Sequence, residues 1–129
     1  MHRLQSDFAA LVEAALDGQL DRAEATWDPR PSLGVVMAAK GYPGEPKTGD
    51  AISGLDADFG DGVKVFHAGT KPGGDGGVVT AGGRVLCVCA LGDDLSRARD
   101  RAYTAADRIR FDGAFYRRDI GYRALARQA

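Results

Sequence analysis

The strongest strand signal in the chain is Gly82-Gly83-Arg84-Val85-Leu86-Cys87-Val88-Cys89-Ala90-Leu91. A continuous apolar run of this length is typical of a strand that is buried on both faces. Val78-Val79-Thr80 precedes it, and Gly82-Gly83 suits a tight turn because both glycines accept positive φ. This part of the chain therefore predicts a β-hairpin that returns through Gly82 and Gly83.

Further strands are indicated upstream, on either side of a long loop region. Residues 33–39 form a second continuous apolar run, which is interpreted as another strand buried on both faces. The region 40–62 is rich in turn dipeptides with single apolar anchors, which indicates ordered loop with short strands. Residues 63–68 read as a strand, and a glycine-rich loop, 69–77, follows them.

Helices are predicted at the two ends of the chain. The first has an apolar stripe made of Leu4, Phe8, Leu11, Val12, Ala15, Leu16 and Leu20. The second follows a carboxylate N-cap at Asp93 or Asp94 and carries apolar residues at helical spacing from 95 to 109, and a short helical stretch, 123–127, ends the chain. If this helix packs against domains outside the chain, Leu4, Phe8 and Leu11 are expected to leave an exposed apolar patch.

These elements together predict an α+β domain. Its short strands and hairpins are expected to curl into a small antiparallel barrel or sandwich, flanked by an N-terminal and a C-terminal helix. The length of 129 residues is close to the commonest size of one domain, so residues 1–129 are interpreted as a single unit.

Composition narrows the possible partners. The formal net charge of −1 gives no bulk attraction to nucleic acid or to an anionic membrane, so neither is expected as a partner. No apolar run approaches the ~20 residues of a membrane helix. The first eight residues carry Arg3, Gln5 and Asp7 where a signal peptide needs an apolar segment, so a cytoplasmic location is expected.

The two cysteines, Cys87 and Cys89, lie two positions apart in the last strand. Their spacing along a strand, about 6.5 Å, does not suit a disulfide between them. They are interpreted as small buried hydrophobic residues in a reducing compartment. Since only His2 and His67 could add imidazole ligands, no metal site is predicted.

The most suggestive constellation is Gly82-Gly83-Arg84. Two glycines can aim bare backbone N–H groups at an anion, and the following guanidinium offers a planar, permanently charged fork for phosphate or carboxylate. The alternative is a purely structural turn. No arrangement of a nucleophile with a base, and no convincing pair of carboxylates, is present, so no catalytic residue is predicted.

Three other residues are weaker candidates. His67 ends a strand before a loop that carries Thr70 and Lys71, and an imidazole there could donate a hydrogen bond or a proton, or be purely structural. Tyr42, in Gly41-Tyr42-Pro43-Gly44, could pack its ring over a ligand or belong to a rigid turn. Lys71 beside the glycine-rich loop also leaves open a carrier domain with a modified lysine, although that loop is broad rather than a two-residue tip.

Six motifs in a fixed order resemble one family, the C-terminal domain of phosphoribosylamine–glycine ligase, which is also called glycinamide ribonucleotide synthetase. The motifs are Trp27-Asp28-Pro29-Arg30, Gly41-Tyr42-Pro43-Gly44, Gly49-Asp50-Ala51-Ile52-Ser53-Gly54-Leu55, Val65-Phe66-His67-Ala68-Gly69-Thr70, Gly82-Gly83-Arg84-Val85-Leu86-Cys87-Val88 and Tyr116-Arg117-Arg118-Asp119-Ile120-Gly121. The resemblance runs over essentially the whole chain. Lys40 departs from it, since many members carry glycine before Gly-Tyr-Pro-Gly, and we assign it no role.

The resemblance implies part of an ATP-grasp ligase of de novo purine biosynthesis. ATP would activate the glycine carboxylate as an acyl phosphate, and the amine of 5-phosphoribosylamine would displace phosphate to give glycinamide ribonucleotide. It also implies that this domain, a barrel-like module of the hybrid-motif type, closes one side of the active site. ATP and Mg²⁺ would be bound by the ATP-grasp domains, so no cofactor is expected on this chain.

Within the resemblance, Arg84 is expected to face the substrate phosphate, with Gly82 and Gly83 allowing close backbone approach. His67, Thr70 and Tyr42 are weaker candidates for lining the same cleft. Because the chain begins at Met1 without the ATP-grasp and N-terminal domains, it is expected to be inactive alone. Its expected partners are the remaining ligase domains and, in the whole enzyme, phosphoribosylamine and glycine. The alternative is a non-catalytic interaction or structural module that pairs with a separate ATP-grasp partner.

Overall fold

The computed structural model describes residues 1–127, which fold into three α-helices, six β-strands and one 3₁₀ turn. The helices are α1 (Phe8–Leu16), α2 (Leu95–Ala106) and α3 (Tyr122–Ala126), and the 3₁₀ turn is Leu20–Arg22. The strands are β1 (Ser32–Ala38), β2 (Ala51–Ile52), β3 (Val63–His67), β4 (Thr70–Pro72), β5 (Val78–Thr80) and β6 (Arg84–Leu91). This content confirms the predicted α+β class.

The larger sheet has the strand order β1-β6-β3 and is antiparallel throughout. Its central strand is β6, where Val88 pairs with Val35 on one side and with Val65 on the other. The inner face of this sheet is fully buried, since Val35, Met37 and Val88 all have 0% exposure. Only one face of β1 is buried, however, since Val36 is 42% exposed. The prediction that this strand is buried on both faces is therefore wrong, because a continuous apolar run does not report what covers each face.

The smaller sheet has the order β2-β5-β4 and is also antiparallel. Strand β5 thus lies in one sheet and β6 in the other, so the predicted hairpin through Gly82 and Gly83 is wrong. The chain also changes sheets between β3 and β4, so it crosses between the two sheets twice, at residues 68–69 and at residues 81–83. These two crossings pack together, since Ala81 N–H donates to the carbonyl of Gly69 at 2.7 Å. The described strands form two open sheets and no closed barrel.

Helix α2 covers the inner face of the larger sheet. Its N-cap is Asp94, whose carboxylate accepts a hydrogen bond from the backbone N–H of Arg97 at 2.7 Å. The helix faces the sheet with alanines, which allow a close approach: Ala98, Ala102, Ala105 and Ala106. It ends at Ala106, three residues earlier than predicted, and Ile109 still reaches the core at 2% exposure.

Helix α1 begins later than its apolar stripe. Leu4 forms an antiparallel bridge with Trp27, and the helix starts only after Asp7, whose carboxylate accepts from the N–H of Ala9 at 2.8 Å. No residue of α1 is buried, and the exposures of Phe8 and Leu16 are 55% and 82%. Of the residues predicted to form an apolar patch, Phe8 is exposed, whereas Leu4 and Leu11 are half-buried. No helix within residues 1–127 combines the length and apolarity required to cross a membrane.

Candidate functional site

A cleft lies on the outer face of β1, opposite the side that α2 covers. Its volume is about 330 Å³, and we call it the Arg84 cleft. Four elements build it: the outer face of β1, the turn after that strand, the start of β6, and the chain between α2 and α3. The lining residues are Gly34, Val36, Ala38, Tyr42, Pro43, Arg84, Phe115, Tyr116, Arg117 and Ile120.

Arg84 supplies the principal charge of the cleft. It is the first residue of β6, where the bulged register of the sheet pairs it with Ala38, and it is exposed. Arg117, the other arginine of the cleft, binds the carboxylate of Asp119 at 2.5 Å. Within residues 1–127, no carboxylate pairs with Arg84. Its guanidinium is therefore available to an anion from solution, whereas the charge of Arg117 is already offset.

Tyr42 forms a wall of the cleft by packing on Gly83. A Cβ atom at Gly83 would overlap Cδ2 of the Tyr42 ring. The backbone holds the same arrangement, since Ala39 N–H donates to the carbonyl of Gly83 at 2.9 Å and Tyr42 N–H donates to the carbonyl of Ala39 at 3.1 Å. Gly83 itself has no positive φ, so the absence of a side chain rather than backbone freedom explains the glycine.

The structure places His67 and Thr70 elsewhere. The His67 Nδ1 and the Thr70 Oγ1 lie 2.9 Å apart at the crossing from β3 to β4, and neither residue lines the Arg84 cleft. Gly82 lies on this side, because its Cβ would meet the Cα of Gly69 at an ordinary 3.4 Å. The fold therefore brings Arg84, Tyr42 and Gly83 together and separates His67 and Thr70 from them.

The wall formed by residues 115–120 was not predicted from the sequence. Phe115 bridges to Ala38 through two backbone hydrogen bonds of 2.8 and 3.1 Å, which attach this segment to the end of β1. The Tyr103 hydroxyl on α2 donates to the carbonyl of Arg117 at 2.6 Å and accepts from Ile120 N–H at 3.2 Å. The mixture of aromatic residues and arginines in this segment was the one signal available, but it indicates no contact partner.

A polar cluster of Asp107, Tyr116 and Arg118 attaches this wall to the end of α2. Arg118 donates a hydrogen bond to the carboxylate of Asp107 at 2.9 Å, and the Tyr116 hydroxyl donates to the same carboxylate. The guanidinium carbon of Arg118 also lies over the Tyr116 ring, 4.6 Å from its centroid. The hydrogen bond from Arg118 has the largest effect in lowering the pKa of Asp107, and the hydrogen bond from Tyr116 lowers it further. Burial raises the pKa of Tyr116, and its bond to Asp107 raises it further. The hydrogen bonds from Arg118 and Tyr116 thus both favour the charged form of the Asp107 carboxylate.

The Arg84 cleft combines a cationic side chain with aromatic and apolar surface. The residues that line it include no His, Cys, Asp or Glu. The cleft instead suits a ligand with an anionic group and a less polar body. The unpaired guanidinium can bind the anionic group, and the Tyr42 ring and the apolar floor can contact the rest.

The chain is similar to proteins of one family. Residues 32–123 match the family described as phosphoribosylglycinamide synthetase, C domain. The phosphoribosylamine–glycine ligase of Xanthomonas campestris is 59% identical over 128 residues, which cover 99% of this chain and 30% of that protein. The enzyme of the same name from Vibrio cholerae is 57% identical with the same coverage. The chain thus spans about 30% of the length of the curated relatives it matches.

The fold has a counterpart among solved structures. The crystal structure of phosphoribosylamine–glycine ligase from Thermotoga maritima superimposes with a TM-score of 0.68 at 38% sequence identity. The match covers 85% of this chain and 27% of that protein. The two sheets and their helices therefore correspond to one part of a larger molecule in that structure.

Proposed function

Because the chain belongs to the phosphoribosylglycinamide synthetase C-domain family, we propose that it acts as the C-terminal, substrate-side domain of a phosphoribosylamine–glycine ligase. Such an enzyme joins glycine to 5-phosphoribosylamine in an ATP-dependent reaction of de novo purine biosynthesis, releasing ADP and phosphate. The role of this domain in the reaction is to bind and orient substrate. The observation that carries the proposal is the Arg84 guanidinium, unpaired within residues 1–127, in the same cleft as the Tyr42 ring and an apolar floor.

The cleft suits a phosphorylated sugar. Arg84 would bind the phosphate through charge-assisted hydrogen bonds, and the apolar floor and the Tyr42 ring would contact the less polar body of the ligand. Gly83 is required for the position of that ring, whereas Gly82 packs against Gly69 outside this cleft. His67 and Thr70 have no part in this cleft. If they contact substrate, they do so from the neighbouring crossing.

ATP and Mg²⁺ are proposed to bind to other domains of the enzyme. Within residues 1–127, no three His, Cys, Asp or Glu side chains lie close enough together to hold a metal ion. Contact with the remaining ligase domains is proposed through α1, whose apolar face is uncovered: Phe8, Val12 and Leu16 are exposed by 41% or more.

A chimeric enzyme tests the proposal directly. This chain replaces the matching 30% of the Xanthomonas campestris ligase, and the activity of the chimera is compared with that of the same enzyme lacking the segment. We expect activity in the chimera alone. Absence of activity in a chimera that is folded and still binds ATP would contradict the domain assignment.

The role of Arg84 is tested in the same chimera. We expect Arg84→Ala to raise KM for phosphoribosylamine roughly 10- to 100-fold, since a charge-assisted hydrogen bond contributes about 1.5–3 kcal/mol. The KM for glycine should change far less. Arg97→Ala, an exposed arginine on α2, is the matched control and should leave both constants unchanged. An unchanged KM for phosphoribosylamine in Arg84→Ala would overturn the assignment of this residue.

The uncovered α1 face also favours a second candidate, an interaction module that pairs with a separate ATP-grasp partner. The separate chain is added to the truncated Xanthomonas campestris enzyme, and ligase activity is measured. Recovery that is lost in Phe8→Ser/Leu16→Ser would support pairing in trans through α1. Activity in the fused chimera without recovery in trans would support the covalent domain alone.

A further inference from the structure

A pair of free thiols lies on the outer face of the larger sheet, apart from the Arg84 cleft. The Sγ atoms of Cys87 and Cys89 are 3.6 Å apart, and both residues are half-buried. They line a second cavity, of about 430 Å³, which shares no lining residue with the Arg84 cleft. We call it the dithiol cavity, and it is lined by Met1, His2, Arg3, Trp27, Ser32, Phe66, Cys87 and Cys89.

Gly34 explains how the two sulfur atoms come so close. This residue pairs with Cys89 across the sheet. A Cβ atom on Gly34 would lie 3.0 Å from Sγ of Cys89 and 3.1 Å from Sγ of Cys87, tighter than ordinary van der Waals contact. Both thiols therefore lean into the space that a side chain at position 34 would fill.

The pair is also chemically activated. The two thiols share a hydrogen bond in which either sulfur can donate, and this bond lowers the pKa of Cys87 to about 7. The same bond, together with burial, raises the pKa of Cys89. The Cys87 thiol thus ionises more readily than an ordinary thiol, and the thiolate is the nucleophile and the metal ligand.

The geometry disfavours a disulfide. Residues i and i+2 of a strand lie about 6.6–6.8 Å apart at Cα, at the far limit for disulfide-linked cysteines. A larger bridging atom fits better. Two thiolates bound to one tetrahedral zinc at ~2.3 Å lie about 3.8 Å apart, close to the observed 3.6 Å.

A closed metal site is nevertheless not assembled here. Structural zinc takes four protein ligands, and no group of three potential ligands occurs among the described residues. The thiol pair therefore suits a soft centre that takes only two sulfur atoms from the protein and carries its own third substituent.

We propose that Cys87 and Cys89 form a chelating site for a soft, thiophilic centre of the class of monosubstituted trivalent arsenicals. In the binding step, an arsenical oxide R–As=O reacts with the two thiols to give R–As(S–Cys)₂ and water. Two As–S bonds form and the As=O bond breaks. Both thiol protons leave on the oxygen, and neither arsenic nor sulfur is oxidised or reduced.

The experiment uses the full chain and phenylarsine oxide as the probe, with excess glutathione as a monothiol competitor. Intact mass should show one arsenical per chain that persists in glutathione and is removed by a small dithiol. The adduct should map to residues 85–97, a tryptic peptide that contains both cysteines of the chain. Cys87→Ser and Cys89→Ser should each bind at least ~100-fold more weakly, because one thiol cannot chelate.

Two comparisons test the folded geometry. A synthetic peptide of sequence 85–97 has both thiols but no sheet, and we expect the folded chain to bind about tenfold or more tightly because its sulfur atoms are already positioned. Gly34→Ala should weaken binding while keeping both thiols. Equal affinity of the folded chain and the peptide, or an adduct that either single-serine variant retains in glutathione, would overturn the proposal. The peptide comparison needs no variant to fold.

Discussion

The ring of Tyr42 packs on the backbone of Gly83, so closely that a Cβ atom at Gly83 would overlap Cδ2 of the ring. This contact joins the turn after β1 to the start of β6, and Arg84 follows Gly83 directly. The position of the Arg84 guanidinium in the cleft therefore depends on a glycine that precedes it.

Gly83→Ala is expected to displace the Tyr42 ring and to lower the free energy of unfolding by about 1–3 kcal/mol, the usual cost of forcing an atom into a packed contact. Gly82→Ala is the matched control, since its Cβ would meet only the Cα of Gly69 at 3.4 Å. Urea denaturation measures both. Combining Gly83→Ala with Tyr42→Ala should recover part of the loss, and a double variant no more stable than Gly83→Ala would contradict this explanation.

The wall of the Arg84 cleft should depend on one hydroxyl. Tyr103→Phe removes two hydrogen bonds, one to the carbonyl of Arg117 and one from Ile120 N–H. We expect a loss of about 1–2 kcal/mol and a Tm lower by several degrees. Trypsin should also cut faster after Arg117 and Arg118, because this segment is released from α2.

The control for that prediction is Tyr122→Phe. The Tyr122 side chain is 53% exposed, and its hydroxyl contacts only the neighbouring Arg123. The Tm of Tyr122→Phe should therefore stay close to that of the unchanged chain. If Tyr103→Phe resembles Tyr122→Phe in both stability and proteolysis, the hydroxyl of Tyr103 does not hold the wall.

The local sequence pattern was sufficient to predict individual strands and helices, but it did not predict which strands pair with each other. The apolar run that became β6 and the capped helix α2 were predictable, because periodicity and an N-cap act within a few residues. The partner of β5 was not, since a glycine pair has the same sequence in a hairpin and in a crossing between sheets. The pairing of Val78 with Ile52 across the smaller sheet depends on packing that no local signal reports.

The same limit applies to the site. Arg84 was found because a guanidinium after two glycines is a local anion-binding signal. The contact that completes the cleft joins Ala38 to Phe115, residues far apart in the chain, and so it needed the structure. The close approach of the Cys87 and Cys89 sulfurs was likewise hidden, because it results from the missing side chain of Gly34 on another strand.

One-sided burial of β1 gives a paired test. Met37 is fully buried on the inner face, whereas its neighbour Val36 is 42% exposed on the outer face. Met37→Ala should lower the free energy of unfolding by about 2–5 kcal/mol, from lost transfer energy and a residual cavity. Val36→Ala should cost far less in urea denaturation. Equal losses would indicate that both faces of the strand are closed.

Acid should weaken one particular ion pair. The Asp28 carboxylate is bound by Arg30 through its Nε and Nη2 atoms and its backbone N–H, at 2.7–3.2 Å, and these bonds lower the pKa of Asp28 to about 2. The usual value is about 3.9. Because the folded pKa is the lower one, the pair contributes fully above pH 4, and its contribution is lost as the pH falls towards 2.

Asp28→Asn isolates that contribution. The variant should be less stable than the unchanged chain at pH 7, and the difference should shrink between pH 4 and pH 2, because protonation then removes the same charge from the unchanged chain. Urea denaturation across this range gives the measurement. Asp56→Asn, at an exposed aspartate without an ion-pair partner within residues 1–127, is the control and should differ little in stability from the unchanged chain. A difference for Asp28→Asn that stays constant down to pH 2 would show that the Arg30 pair does not set the ionisation of Asp28.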